Sequence, residues 1–392
     1  MDIRRFRLTE VPEDFYDDPY RYYAALRESD PVHELEAGSY FVSRYDDVVT
    51  VYRHSGASSD KKVEFKPKFG DSPLYEHHTT SLVFNDPPRH TRVRGLIVGA
   101  LNQRAIARME AGVVQLVENL LDRFSRQVDF IEAFAARIPV EVIGNLLDIP
   151  KDERGPLRAW SIAILSGLEP RPTAEMLERG NRAVVAFKDY LARLVSERRR
   201  KPGDYETDVL TRLVQDKSVS ELELYHNCIF LLNAGHETTT NLIGNGLWLL
   251  LSHEDQMEKL KKEPALISSA VEEMLRYEGP IQLNNRRLTD SIELSGKVLR
   301  EGSLITLGIG AANRDPGQFP DAERFDVARK PNRHVAFGHG DHACAGMNVA
   351  RMEARIAFSR LLQRFSRLER EGTPERDRRI RFRGFRKLPI RT

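Results

Sequence analysis

A mainly α-helical protein with small β-sheets is what the sequence predicts, and three observations predict it. Helical periodicity of apolar residues dominates from about residue 89 to 278. Alternating patterns of strand length are confined to the first fifty residues, to 281–310 and to 379–391. The stretch "SELE" at 220–223 is a capping-box signature, and it opens one unbroken helical pattern that runs to about Leu251.

The elements follow in chain order. "DPYRYYAALRES" reads as a helix, "PVHEL" and "SYFVSRY" as two short strands, and "DDVVTVYRHS" as a second helix. Residues 56–84 are rich in charge, Gly and Pro with weak periodicity and read as a long loop. The helix opened by the capping box would be about 45 Å long at 1.5 Å per residue and would cross a whole domain. Its middle, "NAGHETTTN", is ill suited to burial, because Gly235 costs about 1 kcal/mol relative to Ala there and Glu237 needs a partner or water. Residues 347–365 form an amphipathic helix, and the basic stretch 376–391, alternating with Phe and Ile, reads as a strand with a solvated face.

Composition narrows the functional classes. The chain has 392 residues, 41% hydrophobic and 30% charged, with no repeat and no Gly/Ser linker, and it reads as a single domain over 1–392. A net charge of +2 gives no sign of a nucleic-acid partner. Two cysteines exclude a disulfide framework and suit a reducing, cytoplasmic setting. The start, "MDIRRFRLTEVPEDF", has no apolar core of signal-peptide length, and His236 and Glu237 interrupt the most apolar stretch, so no membrane anchor is expected.

Chemistry concentrates in "HVAFGHGDHACAGMNVAR", residues 334–351. Cys344 admits three readings on residues alone. A free cysteine is most often a small buried apolar group. A zinc site would use His334, His339, His342 and Cys344, with or without Asp341, but the spacing fits no paired-ligand motif. A thiolate on heme iron suits the glycines at 338, 340 and 346, which let backbone pass close to a flat macrocycle. The helix that starts just after the thiol would favour the thiolate through its dipole and free N–H groups.

"FGHGDHACAG" resembles the F-G-x-G-x-H-x-C-x-G loop of the cytochrome P-450 superfamily at every fixed position. "AGHETT" at 234–239 resembles that family's A-G-x-D/E-T-T, and "EMLR" at 273–276 its E-x-x-R. "DPPRHTRVR" at 86–94 and "FPDAERFD" at 319–326 complete the set in the family's order, and the similarity, closest to soluble bacterial members, covers essentially the whole chain. The resemblance implies the cytochrome P-450 fold, with a long central helix over the heme and a cysteine loop beneath it.

The resemblance also implies roles. Cys344 would be the axial thiolate of heme b (iron protoporphyrin IX), the one metal ligand, whose electron donation favours O–O cleavage. Ala345 stands where the family usually has Leu, a difference that would tune the reduction potential. Phe337, Gly338, His342 and Gly346 would hold the heme from the loop, and Ala234 and Gly235 from the central helix. His90, Arg94, Arg286 and His342 would meet its propionates. Glu237 and Thr238 would be the catalytic pair, a carboxylate linked to solvent and a hydroxyl that relays protons to the outer oxygen. Glu273, Arg276 and Arg324 would form a buried structural network.

One face of the central helix gives Asn227, Phe230, Leu231, Ala234 and Thr238 as a pocket wall. Together with Leu283, Asn284 and Asn285, and with His77 and His78 in "EHHTTSLVF", it suits a small, largely apolar organic substrate with a few polar handles. Cys228 reads as structural. The chain has no dinucleotide-binding fingerprint, so two electrons must come from outside. The family points to a ferredoxin and its NAD(P)H-dependent reductase, docking near Arg89, Arg92, Arg104, Arg351 and Arg355. The activity so implied is insertion of one oxygen atom from dioxygen. A peroxide-driven enzyme and a heme-based sensor are the rivals.

Overall fold

A computed structural model describes residues 3–205 and 208–392. Its axis is the helix Glu221–Ser252. The capping box forms as expected, with Ser220 Oγ accepting from Glu223 N at 3.3 Å and Ser220 N donating to Glu223 Oε2 at 3.0 Å. Around this helix pack Arg137–Leu146, Leu157–Ser166, Ala174–Arg200, Ile267–Tyr277 and Met347–Arg364. Their apolar faces merge into one core containing Ile143, Ile164, Val184, Leu247, Met274 and Phe358, all buried.

The expected strands assemble beside this helical body. A five-stranded sheet takes the order Val32–Glu36, Ser39–Val42, Leu304–Gly308, Leu283–Leu288, Ala57–Ser58. Ser39–Val42 runs parallel to Leu304–Gly308, which is antiparallel to Leu283–Leu288 with Arg286 opposite Ile305. That register puts Arg286 and Leu283 at fixed heights on a rigid sheet.

Two sequence expectations fail here. The supposed loop 56–84 holds helices Lys62–Phe69 and Pro73–Thr80 and a turn at Leu82–Phe84. Helices of eight residues are too short to show periodicity and gain their stability from packing. Phe65, Phe69 and Leu74 are buried in the main core, and Ser72 caps the second helix through Tyr75 N at 3.3 Å. The basic C-terminal segment does pair as short strands, Phe385–Lys387 and Pro389–Arg391, and Arg378, Arg386 and Lys387 are exposed, but other arginines of the segment turn inward. Arg376 and Arg383 reach the buried Glu278 at 2.8 and 2.7 Å, and Arg381 donates to Leu168 O at 3.0 Å.

The network around Glu273 forms with one change of member. Arg276 grips Glu273 through Nε and Nη2 at 2.7 and 2.8 Å, and both side chains are fully buried. The second arginine is Arg329, whose Nε lies 3.1 Å from Glu273 Oε1. Arg324 contributes only its carbonyl, which accepts from Arg276 Nη2 at 3.1 Å, while the residue itself is exposed. Arg324 is therefore not the ionic partner. Asp326 N and Asn332 Nδ2 supply the remaining donors, so every direction of the carboxylate is satisfied.

Candidate functional site

The thiol sits on a loop that its own backbone fixes. Val335 N donates to Asn313 Oδ1 at 2.8 Å, and Cys344 N donates to Phe337 O at 2.9 Å. Gly338 and Gly340 take φ of 69° and 70°, and a Cβ on Gly340 would lie 3.1 Å from Tyr52 O. Phe337 is held beneath the Arg351 guanidinium, 4.7 Å from its ring centroid, and Arg351 is itself clamped by Glu272 at 2.7 Å through two nitrogens. Burial raises the pKa of the half-buried Cys344 thiol, while the Gly346 N–H and the charges of Arg94 and Arg351 act in the opposite sense. Gly346 meets nothing within 4 Å at its Cβ position, which leaves open space beside the sulfur.

Four nitrogenous side chains converge next to this loop. The His90 and His342 rings lie 3.9 Å apart, and Arg94 Nη2 donates to Ala343 O at 2.7 Å. Arg286, nearly buried, lies over the Tyr52 ring at 5.2 Å and donates to Asn285 O at 2.8 Å. Neither Arg94 nor Arg286 is ion-paired among the described residues, and the buried His90 Nδ1 has no partner. Burial first, then Arg286, His90 and Arg94, push His342 down to about 3. With both imidazoles pushed toward the neutral form, Arg94 and Arg286 carry the positive charge here. Two carboxylates entering here would satisfy it, and this is the fit that a heme with two propionates requires.

The zinc alternative disperses. His334 bonds Glu272 at 3.1 Å, His339 accepts from Arg53 at 3.1 Å and His342 stacks on His90. Among the described residues no group of three His, Cys, Asp or Glu is placed to hold a metal.

On the central helix, Ala234 is exposed and Gly235 and Thr238 are half-buried, although the residues around them are buried. An internal opening therefore abuts the turn that carries "AGHETT". Thr238 Oγ1 donates to Ala234 O at 2.6 Å. Glu237 departs from expectation. It is only 5% exposed and is ion-paired to Arg379 from the C-terminal segment, not linked directly to solvent. Its Oε2 has no partner. Arg379 also reaches Asp377 at 2.7 Å and lies 4.8 Å from the Phe382 ring centroid.

The predicted pocket wall is partly displaced. Phe230 and Leu231 are half-buried and pack with Leu82, Val93 and Ile97, a position that suits a wall. Asn227 is buried and binds Leu82 N at 2.9 Å, so it anchors the neighbouring segment. Leu283 is 1% exposed in a separate core with Phe41 and Ile380 and does not line the opening. Its neighbour Asn284 points the other way along the strand, as alternation demands, and donates to Tyr52 Oη at 3.2 Å within the Arg286 group. Of the five docking arginines, Arg89 and Arg92 are bound to Glu223 and Arg351 to Glu272. Arg104 and Arg355 have no carboxylate partner among the described residues, and Arg104 is exposed. Cys228 is fully buried, as a structural residue should be.

The sequence missed Arg379, Tyr52 and Arg329. Arg379 lay within a basic segment whose charges read as solvated, and nothing in the pattern marked which of them turned inward.

A family model described as Cytochrome P450 matches residues 169–390. Cytochrome P450 107B1 of Saccharopolyspora erythraea is 36% identical over 96% of each chain. The polyketide biosynthesis cytochrome P450 PksS of Bacillus subtilis is 34% identical, again over 96% of each. The structure of P450BioI with a hexadec-9Z-enoic acid ligated acyl carrier protein superposes with a TM-score of 0.92 at 31% identity, covering 97% of this chain and all of that one.

Proposed function

Because the chain belongs to the cytochrome P450 family and is a heme b monooxygenase acting on organic substrates, we propose that Cys344 would hold the heme iron through its thiolate and that Glu237 and Thr238 handle its protons. The convergence of His90, Arg94, Arg286 and His342 beside the Cys344 loop, with no carboxylate ion-paired to either arginine among the described residues, carries this reading. Heme bound there supplies the redox centre that takes up electrons singly and activates dioxygen.

The protein's own groups do the rest. The Gly346 N–H and the Arg94 and Arg351 charges favour the thiolate form of Cys344 against its burial. Ala234 keeps side-chain bulk small where Thr238 Oγ1 presents a hydroxyl, and Gly235 lets Ile143 pack against the helix, since a Cβ there would lie 2.5 Å from Ile143 Cδ1. To pass a proton outward from the helix, that hydroxyl turns from Ala234 O, and Glu237 next to it in the chain resupplies the proton. Phe230 and Leu231 give the substrate an apolar wall. A largely apolar acyl or polyketide-like chain suits it, in keeping with the polyketide-biosynthesis name of one relative and the acyl-carrier-protein complex of another.

Electrons arrive singly from a redox partner. We assign that role to a ferredoxin and its NAD(P)H-dependent reductase, meeting the protein near Arg104 and Arg355 in the cytoplasm. No helix among the described residues is long and apolar enough to cross a membrane. The whole chain acts as one heme domain in this reading. The carbon-monoxide difference spectrum of the reduced protein tests it. A strongly red-shifted Soret band that is lost in Cys344→Ser is expected, and a band insensitive to Cys344 overturns the assignment.

A further inference from the structure

We propose that protons reach the distal face through a buried carboxylate–imidazole chain, Glu76–His226–His77, that ends on Asn233 one helical turn before Glu237. The proposal rests on the reading of Glu237 and Thr238 as the proton-handling pair.

Glu237 needs such a supply because its direct way to solvent is closed. Its Oε1 is held by Arg379, and a guanidinium keeps its protons at neutral pH, so the Arg379–Asp377 side is a stop and not a path. The free oxygen of Glu237, Oε2, has no donor, and neither has Oδ1 of Asn233, four residues earlier on the same face of the helix. Two buried acceptors one turn apart call for a shared donor, a role that water fills.

From Asn233 a continuous line of polar contacts runs outward. Asn233 Nδ2 lies 3.4 Å from His77 Nε2, and His77 Nδ1 lies 3.3 Å from His226 Nδ1. His226 Nε2 lies 3.0 Å from Glu76 Oε1. His77 and His226 are 2% and 0% exposed, whereas the Glu76 side chain is 42% exposed and is held by Lys188 at 2.6 Å. The line joins three elements, Pro73–Thr80, Ala174–Arg200 and the central helix, at a place where apolar side chains would pack more cheaply.

The contacts fix how a proton moves. Only one nitrogen of the Nδ1–Nδ1 pair can carry hydrogen, so the two neutral rings change tautomer together. Against its burial, Lys188 and His226 hold Glu76 below its ordinary value, so its protonated form is the transient entry state. In that state Glu76 donates, His226 carries hydrogen on Nδ1 and His77 on Nε2, facing the carboxamide oxygen of Asn233. Glu76 then gives its proton to His226 Nε2, His226 Nδ1 gives one to His77 Nδ1, and His77 Nε2 releases one inward to the water between Asn233 and Glu237. One proton enters, one leaves, and no electron moves. The end state has His226 donating to Glu76 and the Asn233 amide nitrogen donating to His77. Half-turns of the rings and of the carboxamide restore the first arrangement before the next proton.

Burial keeps the rings neutral, as the relay requires. His226 faces Glu76, Lys188 and Arg89, and burial brings it down to about 4. His77 faces His78 and His226 and is held well below its usual value, again chiefly by burial.

The test uses heme-loaded protein driven by a surrogate ferredoxin and reductase, with dioxygen itself as the probe. The readouts are the fraction of electrons recovered as peroxide and the solvent isotope effect on dioxygen consumption. A second readout needs no turnover: ¹⁵N spectra of labelled histidines report the tautomers of His77 and His226. In Glu76→Gln, with folding checked by urea unfolding, the peroxide fraction should rise at least about threefold, and both ring spectra should shift. His77→Phe should act alike, and Glu76→Gln added to Glu237→Gln should have no further effect, because the groups act in series. Unchanged peroxide and isotope effect in Glu76→Gln and His77→Phe, beside a clear rise in Glu237→Gln, overturns the chain and leaves the parent reading intact. A silent Glu237→Gln beside responsive Glu76→Gln overturns the parent reading and keeps this point of proton entry.

Discussion

Glu273 accepts from Arg276, Arg329, Asn332 and the Asp326 amide, and it is wholly buried, so the loss of any one charge strands another. Arg329→Met should therefore destabilise the protein by about 3 kcal/mol or more and lower heme retention. Arg324→Ala should stay within about 0.5 kcal/mol, because the exposed side chain is spared and the carbonyl that Arg276 uses remains. Urea unfolding of the two variants separates them, and the reverse order would restore Arg324 to the network. The motif thus made Glu273 and Arg276 legible but named the wrong third member. Sequence order cannot say whether an arginine lends its side chain or its backbone. Arg379 makes the same point at the site, since a charge that reads as solvated is in fact the partner of Glu237.

At the scale of the element, the central helix was the most legible part of the fold, because a capping box and thirty residues of pattern support each other. Ser220→Ala removes the cap and should cost about 0.5–2 kcal/mol without affecting the heme spectrum. Deeper in the same helix, Gly246→Ala would set a Cβ 2.5 Å from Phe358 Cζ and 2.7 Å from Met274 Sδ. Overpacking there should cost about 1–3 kcal/mol, read as a lower urea midpoint. A neutral result would mean that Phe358 can move aside. Residues 56–84 show the opposite case. Their helices are short, interrupted by Pro67 and Gly70, and exist because Phe65, Phe69 and Leu74 find the core, information that no local pattern contains. The chain Glu76–His226–His77 runs through this segment, so the polar residues of "EHHTTSLVF" could be singled out in sequence while their partners could not.

Over the whole molecule, buried titratable groups make stability depend on pH in a sign-determined way. Glu278 is buried, yet Arg383, Arg376 and Arg314 outweigh the cost and bring it from 4.5 to about 2. A depressed carboxylate contributes stability that is present above pH 4.5 and lost as pH falls toward 2. His226, His78 and His236 are lowered from 6.5 to about 4, 3 and 3 by burial, so unfolding binds protons below pH 6.5 and stability falls with them. Glu353 acts oppositely. Burial raises it from 4.5 to about 8, so the folded state holds a proton that the unfolded state has released, and stability declines as pH rises through that interval. Asp377, raised by burial from 3.8 to about 7, acts in the same sense up to that pH. Below pH 6.5 three histidines acting together outweigh these two carboxyls, whereas above it the histidines no longer titrate. Stability should therefore climb from pH 3 to a maximum near 6.5 and then fall by about 2 kcal/mol toward pH 8. Urea unfolding across this range at fixed heme concentration measures the curve. Glu353→Gln, which keeps a neutral side chain of the same size, should flatten the alkaline limb and steepen the acid limb between about pH 4.5 and 6.5, where its proton opposes the histidines. An alkaline limb that survives this substitution would place the buried proton on another group.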